Sequence, residues 1–124
     1  MHIVPKDKFD MAACKRLNKA SDAEVIDHLD DLLGWTADVN WPVASHVIDR
    51  VKGLGDELVL PLKNILSSAD DTWKYFIIVH LIPELREDVF SQLKSDLQRM
   101  VSKPTDSEVL EEVYLETKAL MASL

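Results

Sequence analysis

The sequence predicts an all-α fold, and three observations carry that reading. Apolar residues recur at helical spacing along almost the whole chain. Two Ser/Thr-x-x-Glu boxes, Ser21 to Glu24 and Thr105 to Glu108, announce helix starts, because the hydroxyl and the carboxylate each satisfy an N–H that the first turn leaves free. With three glycines and five prolines, the chain holds little of the turn chemistry that an all-β fold needs, and no stretch reads convincingly as a strand.

Phe9, Ala12, Ala13 and Leu17 outline a short first helix. The Ser21 box opens a second, with Val25, Ile26, Leu29, Leu32 and Leu33 on one stripe and Asp22, Glu24, Asp27, Asp30 and Asp31 off it; Gly34 is its expected stop. Pro42 marks the start of a third, since a first-turn proline gives up no helical hydrogen bond, and Asn40 or Trp41 is its expected cap. Val43, Ala44, Val47, Ile48 and Val51 form its apolar face, and Gly53 and Gly55 end it.

Asp56 opens a fourth helix, bearing Leu58, Leu62, Ile65 and Leu66. Pro61 falls too far inside that helix, which predicts a late start or a kink. A fifth, capped by Asp70 or Asp71, carries Trp73, Phe76, Ile77, His80 and Leu81. Ile78, Val79 and Ile82 make it apolar nearly all round, so neighbours are expected to surround it until Pro83 ends it. The sixth runs from about Glu87 to Ser102 and breaks at Lys103-Pro104. The Thr105 box opens the last, with Val109, Leu110, Val113, Leu120 and Met121. About seven helices with short connections and no dividing linker predict one domain over residues 1–124.

Helices joined by short loops lie antiparallel, and a run of such hairpins stacks into a solenoid. A shift of about 32 residues superposes Trp41 on Trp73, Val47 on Val79, Asp56 on Asp88, Leu58 on Phe90 and Ile65 on Leu97. Residues 40–68, "NWPVASHVIDRVKGLGDELVLPLKNILSS", and 70–102, "DDTWKYFIIVHLIPELREDVFSQLKSDLQRMVS", resemble repeats of the HEAT and armadillo type. That resemblance implies an α-α superhelix of about three HEAT-like hairpins plus a C-terminal capping helix, and protein contacts through a concave surface. Through "PKDKFD", "DVNWPVA" and "DDTWKYFIIVHLIP", nearly the whole chain also resembles an uncharacterised family of small bacterial all-helical proteins, a domain of unknown function that implies no known activity.

The net charge of −8 disfavours nucleic acid, which needs a basic footprint, and leaves basic partners open. A single cysteine, Cys14, has no partner for an internal disulfide and fits a reducing, cytoplasmic setting. The N-terminus lacks the apolar run of a signal peptide. The densest apolar window, Tyr75 to Ile82, falls well short of the roughly 18 residues of a membrane span.

Ser45, His46 and Asp49 invite a hydrolase reading, but Ser45 and Asp49 share one helix face while His46 points about 100° away from Ser45, and no glycine elbow surrounds the serine. His2, His28, His46, His80 and Cys14 show no metal-ligand spacing, so neither a metal nor a cofactor is expected, and the chain is expected not to be an enzyme. His80, on an apolar stripe, is expected to be buried with a polar partner. The acidic run Asp22, Glu24, Asp27, Asp30 and Asp31 lacks a calcium-loop pattern; it reads as a solvated face, or as a negative patch that steers a basic partner.

Trp35, Trp41 and Trp73 read either as packing between repeats or as an aromatic hot spot. On the second reading the partner-binding candidates are Asp38, Asn40, Trp41, Trp73 and Lys74. The function expected is a small protein-interaction module that captures a basic protein, in one version an immunity-type binder of a toxin. The alternative is a small-ligand binder or enzyme with a pocket near Trp73 and His80, and a third is a self-associating subunit.

Overall fold

The computed structural model describes residues 2–123. Those residues form nine α-helices and two 3-10 turns with no strand: α1 (Met11–Lys19), α2 (Asp22–Asp27), α3 (Leu29–Gly34), α4 (Ala44–Val51), α5 (Val59–Leu66), α6 (Asp71–His80), α7 (Glu87–Ser102), α8 (Asp106–Leu110) and α9 (Val113–Ala122). The 3-10 turns, Asp56–Leu58 and Ile82–Glu84, precede α5 and follow α6.

The two helices beyond the expected seven come from splitting predicted ones. The helix opened by Ser21 breaks at His28 (φ −116°, ψ 17°), whose N–H turns back to the Val25 carbonyl at 3.1 Å. The break is local, because the His28 carbonyl still accepts from the Leu32 N–H, and Val25, Leu29, Leu32 and Leu33 stay buried on one face across it. The final helix divides at Glu112, which takes a left-handed backbone (φ 65°, ψ 12°) rare outside glycine. On its two sides the chain faces differently. Helix α8 buries Glu108 and leaves Val109 and Leu110 exposed, whereas α9 turns Val113 and Thr117 inward.

Helix starts follow the predicted chemistry in most places. Ser21 accepts from the Glu24 N–H at 3.2 Å, Asp70 from Trp73 at 3.1 Å, and Thr105 with Glu108 forms a full reciprocal capping box. Asp56 opens a 3-10 turn that ends at Leu58, so α5 begins late and Pro61 falls in its first turn, where the missing N–H has no partner to lose. Helix α4 departs from expectation. It begins at Ala44 with no side-chain cap, and Asn40, Trp41 and Pro42 lie in turns ahead of it, closed by hydrogen bonds from Trp41 N to Asp38 O and from Ala44 N to Trp41 O. Phe9 also precedes its expected helix and is exposed.

The core is aliphatic, with Leu17, Leu32, Leu58, Leu62, Ile77, Leu81, Leu93 and Leu97 fully enclosed. The N-terminal segment buries Ile3 near α1, and α1 packs on α4. Arg50 of α4 ties that corner together, donating to the Ala20 carbonyl and the Asp22 carboxylate rather than pairing with His46. Helix α5 packs against α6 and α7, and α9 lies against both α6 and α7. No helix among the described residues is long and apolar enough to cross a membrane.

Candidate functional site

Of the five candidate residues, Lys74 has a different role from the one predicted. It is buried, not exposed beside the tryptophans, and its ammonium lies 2.7 Å from Asp71 and 3.0 Å from Glu108. Arg99 of α7 holds the Glu108 carboxylate with both guanidinium nitrogens, and the Thr105 N–H adds a further bond at 2.8 Å. Ser107 donates to the second oxygen of Asp71. Two cations and two anions thus join α6, α7 and α8 in a neutral network in which Asp71, Lys74 and Glu108 are buried and Arg99 reaches solvent, and no buried side-chain polar atom among the described residues lacks a partner. Burial opposes the charge on Glu108, but bonds from Arg99, Thr105 and Lys74 outweigh it and hold the carboxyl down to about 2.

Asp38 folds back on its own turn, its Oδ1 accepting from the Asn40 N–H at 2.8 Å, and leaves the Asn40 side chain exposed. Trp41 is half-buried and meets Trp35 edge-on, ring centres 5.4 Å apart, an arrangement aromatic quadrupoles favour. Trp73 is not its equivalent. Trp41 lies in the turn ahead of α4, while Trp73 lies inside the first turn of α6. The Trp73 indole N–H donates to Thr36 Oγ1 at 2.9 Å, and that buried hydroxyl donates to the Leu33 carbonyl at 2.6 Å. This relay fixes the Trp73 ring beside Leu33. The structure therefore brings Trp35, Thr36, Trp41 and Trp73 into one region and assigns Lys74 to the interior.

His80 is also placed otherwise than expected. It is exposed at the C-terminal end of α6, with its ring 6.4 Å from Phe76, and takes no part in the cleft at Trp73. That cleft, about 290 Å³, is lined by Asp30, Leu33, Pro61, Asn64, Ile65, Ser68 and Trp73. A second hollow of about 340 Å³ adjoins it and shares Asp30 and Pro61; its walls add Ile26, Asp27, His28, Leu29, Asp31 and Glu57. Together they form one groove, with α2 and α3 on one side and the Glu57–Ser68 stretch on the other. One end is walled by Leu33, Pro61, Ile65 and Trp73 with Asn64 and Ser68 beside them, and the other is lined with carboxylates.

Asp27, Asp30, Asp31 and Glu57 enter no ion pair and no side-chain hydrogen bond among the described residues. Asp30 and Asp31 stand in the first turn of α3, and Glu57 in the 3-10 turn before α5, where helix N-termini favour negative charge. Each such terminus supplies roughly half a positive charge, so four carboxylates leave the groove strongly negative. The groove residues on α5 were not legible in the sequence. Pro61 and Ile65 read there only as a helix breaker and a core residue, and the acidic run gave no sign that Glu57 would face it. Among the described residues no three His, Cys, Asp or Glu side chains gather as a metal site requires. Cys14 is buried, and that burial, with Asp10 nearby, pushes its thiol up and away from the reactive thiolate.

No curated protein matches the chain. A family model described as "Domain of unknown function (DUF5071)" matches residues 3–121, nearly the full length and all three segments that carried the family resemblance. The chain belongs to this family, DUF5071.

Proposed function

We propose that the chain is a small cytoplasmic protein-interaction module, a HEAT-like stack of helical hairpins, that captures a basic segment of another protein in the groove between α2–α3 and α5. One observation carries this reading. Four carboxylates outside any ion pair line one groove, and the groove continues into a cleft walled in part by an orientated tryptophan. A cation from a partner finds there Asp27, Asp30 and Asp31, which form no ion pair with the chain's own lysines and arginines. The apolar end supplies the desolvated anchor on which affinity depends.

Packing of α5 on α6 and α7, and of α9 on both helices of the α6–α7 pair, supports the stacked-hairpin arrangement, since successive hairpins in a solenoid pack each on its neighbour. The net charge of −8 agrees with a basic protein partner and argues against nucleic acid and anionic membrane surfaces. The role proposed is binding, not catalysis. An immunity-type capture of a basic toxin is one form it takes.

The test compares pull-down by the native chain with pull-down by an Asp27→Lys/Asp31→Lys variant, both positions being exposed. A partner retained at low salt, released as salt rises and absent from the variant supports the proposal. Equal capture by both proteins contradicts it.

A further inference from the structure

Resting on the reading of the groove as a site for a basic partner, we infer that its occupant is a linear, extended segment of about five residues. An apolar side chain of this segment seats against Trp73, and lysine or arginine side chains follow over Asp27, Asp31 and Glu57. Three features of the groove lead to this ligand and away from a folded surface or a free polyamine.

The first is length. The α5 side of the groove runs from Glu57 through Pro61, Asn64 and Ile65 to Ser68, positions that recur every three or four residues and so line one face. At roughly 1.5 Å per helical residue this face is about 16 Å long, the reach of about five extended residues at roughly 3.3 Å each. The second is size. Hollows of about 290 and 340 Å³ each take a few side chains and not a folded surface, so the ligand fills them one side chain after another.

The third is polarity along the groove. The Trp73 end is built from Leu33, Pro61, Ile65 and the tryptophan, whose ring is held by the Trp73–Thr36–Leu33 hydrogen-bond relay before any ligand arrives. The other end carries Asp27, Asp31 and Glu57, with Asp30 at the junction. A purely cationic ligand leaves the tryptophan end unused, and a purely apolar one leaves the carboxylates uncompensated. Only a segment with both characters in that order satisfies the whole groove, which makes the order a source of specificity.

The experiment titrates the full chain with fluorescein-labelled five-residue peptides. One has a leucine followed by serines and lysines, and a second has the order reversed. A third has serine in place of the leucine, and a fourth has glutamine in place of each lysine; spermidine is added as a competitor. One of the two leucine–lysine orders is expected to bind at least tenfold tighter than the serine and glutamine peptides. That advantage over the serine peptide is expected to vanish in Trp73→Ala. Because Trp73 also packs in the fold, Asn64→Trp serves as a second variant: it fills the apolar hollow from an exposed position, and it is expected to remove the same advantage while retaining the native circular dichroism and unfolding midpoint.

Serine and leucine peptides of equal affinity, or spermidine competing as well as the best peptide, overturn the linear two-part segment and leave the basic-partner reading standing. Failure of every cationic probe to bind overturns both.

Discussion

Glu108 is fully buried yet meets Arg99, Lys74 and the Thr105 N–H, so its carboxylate is held at about 2 against an ordinary value near 4.5. A folded-state value below the unfolded one contributes stability above about pH 4.5, and this is lost progressively as pH falls toward 2. The shift corresponds to about 3 kcal/mol. Acid unfolding followed by circular dichroism should show this loss between those values, and Glu108→Gln should flatten that part of the profile. Glu108→Ala, which leaves Lys74 with Asp71 as its one carboxylate and takes away the carboxylate that Arg99 holds, should cost about 3 kcal/mol in urea unfolding at neutral pH. The capping box that contains Glu108 was legible in the sequence; its second role was not. A box is a four-residue pattern, whereas the cations it holds come from α6 and α7, and nothing local to Lys74 shows that its partner lies on a helix formed much later in the chain. The same distance hid the acceptor for the Trp73 indole, Thr36, from sequence reasoning.

Whole elements were read more reliably than their ends. The long helix α7 has the predicted boundaries because Leu93, Leu97 and Met100 keep one helical stripe between two clear stops. The proline in α5 resolved into a late start because a 3-10 turn consumes Asp56–Leu58 first. The splits at His28 and Glu112 escaped notice because apolar spacing continues through both and neither carries glycine or proline. At Glu112 the break is set by tertiary demands: Glu108 must enter the ion network while Val113 and Thr117 enter the core, and the intervening residue takes up the mismatch with a left-handed backbone. A β-carbon in that conformation costs roughly 1–2 kcal/mol, partly offset by the extra freedom that glycine gains when unfolded. Glu112→Gly should therefore raise stability by about 0.5–1 kcal/mol in denaturant unfolding. A loss of stability would show that the Glu112 side chain supports the corner.

At the scale of the whole molecule, the all-α class followed from periodicity and caps, and the family resemblance from three short segments spread over the chain. The groove was only half legible. The acidic run on α2 and α3 stood out in the sequence as a negative patch. Its meaning depended on what the fold places opposite, namely Glu57, Pro61 and Ile65 in and just before α5 and Trp73 of α6. The candidates chosen from the tryptophan pattern divided accordingly: Trp73 became the end wall of a groove, and Trp41 packed on Trp35 beyond its lining. On the proposal made above, this groove and no other acidic face receives a basic ligand. Amide chemical-shift mapping on the isotope-labelled chain during titration with a lysine-rich peptide locates the contact. Saturable shifts are expected to cluster at residues 26–33, 57–68 and 73, with the Trp73 indole N–H among them, all weakening as salt rises. Shifts spread evenly over the acidic surface, or gathered around the exposed Leu110 instead, would contradict it.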